Sequence, residues 1–267
     1  MLKIGLLGVG AIGRTIAAAL DRKQVNAELV VITDQDGARA EVFSAGLASH
    51  PAVLSLDEML DRCDLAVEAA SQAALTEFVP RALARGRDML IMSVGGLLGH
   101  DDWFRTAQEK GSRIIVPSGA IAGLDGIKSA SIGRIESAML TSRKPVAALR
   151  GSQFVVERGI QLDSFKDEAV IFEGLAEEAA HAFPATSNVA ASLRLAVRRD
   201  APVRVRIVAV PGGEKNVHEI QVQGEFGKLT VMVENVPSKD NPRTSQLAAY
   251  SAIATLKNLT QSLRVGT

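Results

Sequence analysis

The chain opens on an apolar run that breaks into glycines: Lys3 to Gly13 reads KIGLLGVGAIG, and Arg14 to Leu20 follows with good helix formers carrying apolar residues at helical spacing. This pattern predicts strand, glycine turn and helix. A second apolar strand is predicted over Glu28–Thr33, with Asp34 at its end. Leu65–Ala70 leads into a helical Ala73–Ala84, Asp88–Ser93 leads into a helix near Asp101–Lys110, and a strand over Ser112–Val116 stops at Pro117. Strands alternating with helices of this length predict a parallel, doubly wound α/β sheet.

Beyond Pro117 the texture changes. A stretch of small residues, Pro117 to Gly126 (PSGAIAGLDG), runs into a helical Ile127–Ile132. Strands are then predicted at Ser137–Thr141 and Val170–Phe172, an amphipathic helix over Glu173–Ala182, a break at Phe183–Ser187 and a helix from Asn188 to Val197. Val203, Val205 and Ile207 alternate with Arg204 and Arg206, and after the turn Pro211-Gly212-Gly213 come strands at Val217–Gln223 and Leu229–Glu234. Half-buried strands of this kind predict a second α+β domain with an antiparallel or mixed sheet. Asp240-Asn241-Pro242 reads as a cap with proline at the first helical position, and Ala249, Ile253, Leu256, Leu259 and Leu263 form one apolar stripe beyond it. The expected division is a dinucleotide-binding domain over residues 1–120, completed by a returning C-terminal helix at 240–267, and a substrate, catalytic and oligomerisation domain over 121–239.

Composition narrows the function. At 267 residues, with 30 Lys plus Arg against 30 Asp plus Glu, the formal charge is zero, and nothing points to a nucleic-acid or anionic-membrane surface. The chain starts directly on a strand, and no apolar run approaches the roughly 18 residues a membrane span needs. The expectation is a soluble, unexported, cytoplasmic protein. The single cysteine, Cys63, excludes an internal disulfide or a thiolate zinc cluster and reads as a small buried side chain.

The glycines at 8, 10 and 13 match GxGxxG. The first permits a tight turn, the second lets the backbone approach a pyrophosphate, and the third lets helix and strand pack closely. Ala11 and Ile12 would place unpaired N–H groups at the positive helix end, where a diphosphate is stabilised. The alternative is a plain turn. Asp34, 21 residues after Gly13, stands where a carboxylate accepts from a ribose 2′-hydroxyl and repels a 2′-phosphate, which favours NAD; Arg39 nearby leaves room for NADP, and a solvated strand-end aspartate is the alternative. Ser71-Gln72 and Ser93–Gly96 fall at the carboxyl ends of strands, where ligands collect in such sheets, or simply make turns. Of four histidines, His50, His100 and His181 read as surface residues. His218 shares a strand face with Ile220 and Val222, so its imidazole belongs on the covered side. A histidine there, with a pKa near neutrality, can give and take protons; a buried structural histidine is the alternative. No order of residues supports a Ser-His-Asp hydrolase or an HExxH metalloenzyme.

Read together, these segments resemble the L-aspartate dehydrogenases. The likeness is carried by Gly8–Gly13, Val116–Gly123, Thr141-Ser142-Arg143-Lys144-Pro145, Ile171–Gly174, Phe183-Pro184 through Asn188–Ala191, Asn216–Ile220, Gly224–Gly227, and Glu234–Ser238 with Asp240-Asn241-Pro242, in order along almost the full length. The resemblance implies a two-domain NAD(P)-dependent enzyme, a homodimer or larger, that oxidises L-aspartate to iminoaspartate. That imine hydrolyses to oxaloacetate and ammonia or serves as a precursor in making NAD. By the same analogy Ala122 and Asn188 contact the cofactor and His218 is catalytic, although Asn188 by itself reads as a helix-start residue. A dianionic substrate needs cations, and Arg143 and Lys144 are the candidates, with a solvated basic pair as the alternative. Rival readings are a related reductase acting on homoserine, aspartate semialdehyde or dihydrodipicolinate, and a non-catalytic dinucleotide sensor.

Overall fold

The computed structural model describes residues 1–184, 187–197, 200–236 and 245–266, and the chain divides into two units: Met1–Pro117 with Ala248–Val265, and Ser118–Leu247.

In the first unit the predicted alternation appears as β1 (Leu2–Leu7), α1 (Ala11–Asp21), β2 (Ala27–Thr33), α2 (Gly37–Ala45), β3 (Ala52–Val53), α3 (Leu56–Arg62), β4 (Leu65–Glu68), α4 (Leu75–Ala84), β5 (Asp88–Ile91), α5 (Asp101–Lys110) and β6 (Ile114–Ile115). The six strands lie in the order β3-β2-β1-β4-β5-β6, and all pairs are parallel. The order reverses at β1, which puts the turn after β1 at the switch point where such sheets bind ligands. α3 begins with a capping box, Ser55 accepting from the Glu58 amide while the Glu58 carboxylate accepts from Ser55. β1, β4 and β5 bury Ile4, Leu6, Val67 and Leu90 in one core.

The second unit contains α6 (Leu124–Ala130), β7 (Ile135–Pro145), α7 (Val146–Leu149), α8 (Gln153–Glu157), β8 (Ala169–Leu175), α9 (Ala176–Ala182), α10 (Asn188–Ala196), β9 (Val203–Val210), β10 (Asn216–Gly224) and β11 (Gly227–Asn235). Its five strands lie in the order β11-β10-β7-β9-β8. β7 and β9 are parallel and the other pairs antiparallel, so the sheet is mixed. One face, with Leu140, Val205 and Ile220, joins Phe183 and Leu193 in the core.

Two boundaries differ from expectation for instructive reasons. Glu173 is not helical: β8 continues to Leu175 because Glu173 bridges Arg204 and Arg206 on β9, and α9 starts only where the Glu178 carboxylate accepts from the Leu175 amide at 2.6 Å. β7 runs on past Thr141 to Pro145, although its apolar alternation stops at Leu140, because Ser142 and Lys144 occupy the covered positions that apolar residues hold earlier in the strand. The last helix, α11 (Gln246–Thr260), buries Ala252 and Leu256 in the core of the first unit; the cap expected at Asp240-Asn241-Pro242 lies outside the described residues. No described helix is long and apolar enough to cross a membrane.

Candidate active site

In the first unit the three glycines of the turn do different things. Gly8 has φ +98°, and a Cβ there would meet the carbonyl oxygen of Ala69 at 2.7 Å. A Cβ on Gly13 would overlap the carbonyl oxygen of Gly8, so α1 lies against the end of β1 at a distance only glycine permits. Gly10 is the exception: its φ is −71°, and the atom nearest an added Cβ is 4.0 Å away. What glycine preserves at position 10 is open backbone at the start of α1, where Ala11 and Ile12 follow, and that fits a diphosphate on the helix N-terminus. Gly13→Ala is therefore expected to destabilise the first unit severely. Gly10→Ala should melt within a few degrees of the parent and instead weaken coenzyme binding. Thermal melts beside coenzyme titration by protein fluorescence check the contrast; equal melting losses would remove it.

Asp34 is tied to this turn. Its Oδ2 accepts from the Val9 amide at 2.8 Å, and its Oδ1 accepts from the Asp36 amide at 2.9 Å and the Arg39 guanidinium at 2.7 Å. Burial raises its pKa, but those three donors outweigh it and hold the carboxyl below its usual value. The side chain is only 4 % exposed, against 42 % for Arg39. The negative charge that sequence reading sets against a 2′-phosphate is thus turned inward and covered by a cation.

One residue of this region has no counterpart among the sequence-based candidates. Glu68 is fully buried at the end of β4, and its carboxylate accepts from the Ala70 amide at 2.8 Å, the Ser93 amide at 2.9 Å and the Ser93 hydroxyl at 2.7 Å. Desolvation raises its pKa, and the Ser93 bonds oppose that. It clamps the turns after β4 and β5, which carry Ser71-Gln72 and Ser93–Gly96. Its one legible signal is a charge inside the apolar run Leu65–Ala70.

In the second unit β10 places His218 directly opposite Ser142 on β7 and Val233 on β11, and Asn216 opposite Asn235. His218, Ser142 and Lys144 are all buried, at 4 %, 3 % and 5 % exposure, on the face that carries Leu140 and Ile220 further along. The core face of the sheet therefore turns polar at one end. His218 Nδ1 is hydrogen-bonded to Ser142 Oγ at 2.9 Å. Lys144 makes no hydrogen bond or ion pair among the described residues, and burial lowers its ammonium pKa to about 8. Burial, and secondarily the positive charge of Lys144, pushes the His218 imidazole down to about 3, far from the near-neutral value expected from sequence. The imidazole is therefore uncharged at neutral pH.

Arg143 does not join them. Alternation turns it to the opposite face of β7, where its guanidinium pairs with Glu219 at 3.0 Å and Glu168 at 3.4 Å. Of the two cations expected to hold the substrate, the fold sets only Lys144 beside His218. Ala122 is exposed in the loop before α6. That loop is held by Asn235, whose Nδ2 donates to the Ala120 carbonyl at 2.8 Å, and by Gly123, where a Cβ would meet Val231 at 2.8 Å. Asn188 is half-buried at the first position of α10. Among the other histidines, His100 stacks on Trp103 with ring centroids 3.7 Å apart, and His50 sits at φ 42° in a turn. Cys63 is buried, and desolvation pushes its thiol up to about 11, as suits a packing residue.

Comparison with known proteins shows the family. Residues 125–259 match the family described as aspartate dehydrogenase, C-terminal, and residues 8–117 match the homoserine dehydrogenase NAD binding domain. L-aspartate dehydrogenases from Methanosarcina barkeri and Methanocella arvoryzae are 45 % and 47 % identical, each aligned over 100 % of both chains. That of Bradyrhizobium diazoefficiens is 39 % identical over 100 % of this chain and 94 % of its own. Among solved structures, aspartate dehydrogenase from Thermotoga maritima has the same fold, with a TM-score of 0.76 at 24 % identity over 100 % of both chains. The chain belongs to the L-aspartate dehydrogenase family.

Proposed function

We propose that this protein oxidises L-aspartate at its α-carbon with NAD or NADP, giving iminoaspartate and the reduced coenzyme, and that water then converts the imine to oxaloacetate and ammonia. The observation that carries the reading is the polar end of an otherwise apolar sheet face, where His218 sits beside a buried ammonium, Lys144, with no partner among the described residues. An unpaired buried charge is costly unless a ligand pairs with it. A substrate with two carboxylates meets that need.

When bound, the coenzyme supplies the hydride acceptor. Gly8, Gly10, Ala11, Ile12 and Gly13 give its diphosphate an open helix N-terminus, and Asp34 holds that turn through the Val9 amide. Because Arg39 covers Asp34, both coenzymes belong to the reading. Ala122 and Asn188 are further coenzyme contacts on the strength of the family likeness. Lys144 pairs with a substrate carboxylate and orients the α-carbon. His218 takes a proton at Nε2 from the substrate ammonium or from the attacking water. Its basicity is suppressed by burial and by Lys144. A carboxylate paired with Lys144 offsets the second cause, so aspartate itself helps to make His218 a base. A homodimer or larger assembly, working in the cytoplasm, completes the reading and rests on the family likeness.

The test is a steady-state assay with L-aspartate, L-homoserine and both coenzymes. Reduced coenzyme should form with aspartate and not with homoserine. Turnover on homoserine alone would transfer the reading to the reductase whose coenzyme domain matches residues 8–117, and coenzyme binding without any turnover would leave a dinucleotide sensor.

A further inference from the structure

We infer that Ser142 is a positioning residue for His218, setting the orientation and tautomer of its imidazole so that Nε2 faces the reaction. This rests on the proposed role of His218. The two residues are direct partners across β10 and β7, so the backbone register, rather than side-chain chance, brings them together. Their 2.9 Å hydrogen bond is buried, and Nδ1 has no other hydrogen-bond partner among the described residues. Ile207 of β9, the neighbour of Ser142 on its far side, is apolar and cannot replace the bond, nor can Val233 of β11 beside His218. Both Ser142 and His218 are buried, so water competes poorly for Nδ1.

The chemistry needs such a partner. A neutral imidazole carries one N–H, and the nitrogen that lacks it is the base. If Nδ1–H donates to Ser142 Oγ, the lone pair lies on Nε2. When Nε2 then takes a proton from substrate, the ring carries N–H at both nitrogens and one positive charge, and the substrate nitrogen keeps the electron pair. Ser142 Oγ continues to accept from Nδ1–H, and no other bond forms or breaks. A base oriented by a third group is the general form of an activated acid/base pair. Of the charged groups near this register, Arg143, Glu219 and Glu234 alternate to the opposite face of the sheet, and Lys144, which shares the covered face, makes no hydrogen bond among the described residues, so Ser142 is the side chain hydrogen-bonded to the ring.

Ser142→Ala is expected to lower kcat on the order of tenfold to a hundredfold, the size of effect seen when an orienting partner is removed, with the KM for coenzyme unchanged. Ser142→Thr, which keeps the hydroxyl, should recover most of the loss. Because Ser142 acts through His218, Ser142→Ala should cost nothing more in a His218→Ala background. Nitrogen-15 NMR of His218 gives a readout independent of turnover: Nδ1 protonated in the parent protein, and a mixed tautomer population in Ser142→Ala. An unchanged tautomer population, or a kcat loss that adds fully to that of His218→Ala, would overturn the inference. If His218→Ala keeps normal turnover, the base role of His218 falls, and the NMR comparison still decides whether Ser142 holds the ring.

Discussion

His218→Ala should lower kcat for L-aspartate by about a hundredfold to ten-thousandfold, the usual contribution of a positioned acid/base, while coenzyme affinity stays near that of the parent. The split follows from placement. His218 lies on β10 with its ring against Ser142 and the charge of Lys144, whereas the glycine turn and Asp34 belong to the other unit. Truncation leaves the apolar part of the face, Leu140 and Ile220, in place. Single-turnover measurement of reduced coenzyme, beside a coenzyme titration, separates the two quantities. Turnover within a few-fold of the parent would remove His218 from the chemistry.

Lys144→Met should act on substrate binding and on stability in opposite directions. Removing one partner of a buried charge pair costs about 2–5 kcal/mol, so the KM for aspartate should rise on the order of thirtyfold to several thousandfold, with little change in the KM for coenzyme. The parent enzyme should show the same dependence through pH. With the Lys144 pKa lowered to about 8, kcat/KM for aspartate falls as pH rises past that value and the ammonium is lost. Stability runs the other way. The unfolded chain holds this proton up to its ordinary value near 10.5 and the folded chain only to about 8, so across that window the unfolded state binds more protons and the stability of the parent rises with pH. Below about 8 the parent carries the full cost of a buried ammonium, which methionine lacks. Lys144→Met should therefore melt higher than the parent at pH 7, with the gap narrowing toward pH 10. Melting curves at both values check the sign, and a variant that melts lower at pH 7 would mean the ammonium has a stabilising partner.

The first unit is readable from sequence because its signals are local. Strand, glycine turn and helix sit within a few residues of one another in Leu2–Asp21, and their hydrophobic rhythm survives in the fold. The short elements between β2 and β4 are not, since β3 is only Ala52–Val53 and α2 has little apolar periodicity to reveal it. In the second unit the inward face of His218 is also legible, from Ile220 and Val222 in the same strand. The reach of β7 is not, because its last covered positions are Ser142 and Lys144, which break the apolar pattern that marks a strand. Polar residues at covered positions hide the strand that carries them.

By itself the sequence determined which segments alternate, which glycines make the turn, and which face of β10 holds His218, because each of these depends on spacing within one stretch of chain. Only the tertiary structure decided what those residues meet. Asp34 is covered by Arg39, Arg143 pairs with Glu219 on the far face of the sheet, and Ser142 lies 76 positions from the imidazole it touches. Strand pairing sets the last two relations, and a shift of one residue in the register of β7 against β10 would put Arg143 or Thr141 in place of Ser142 opposite His218. The same pairing buries Lys144 without a partner among the described residues, and burial is what moves its proton affinity toward neutrality and lowers that of His218, so the chemistry of the two groups is a property of the packed sheet.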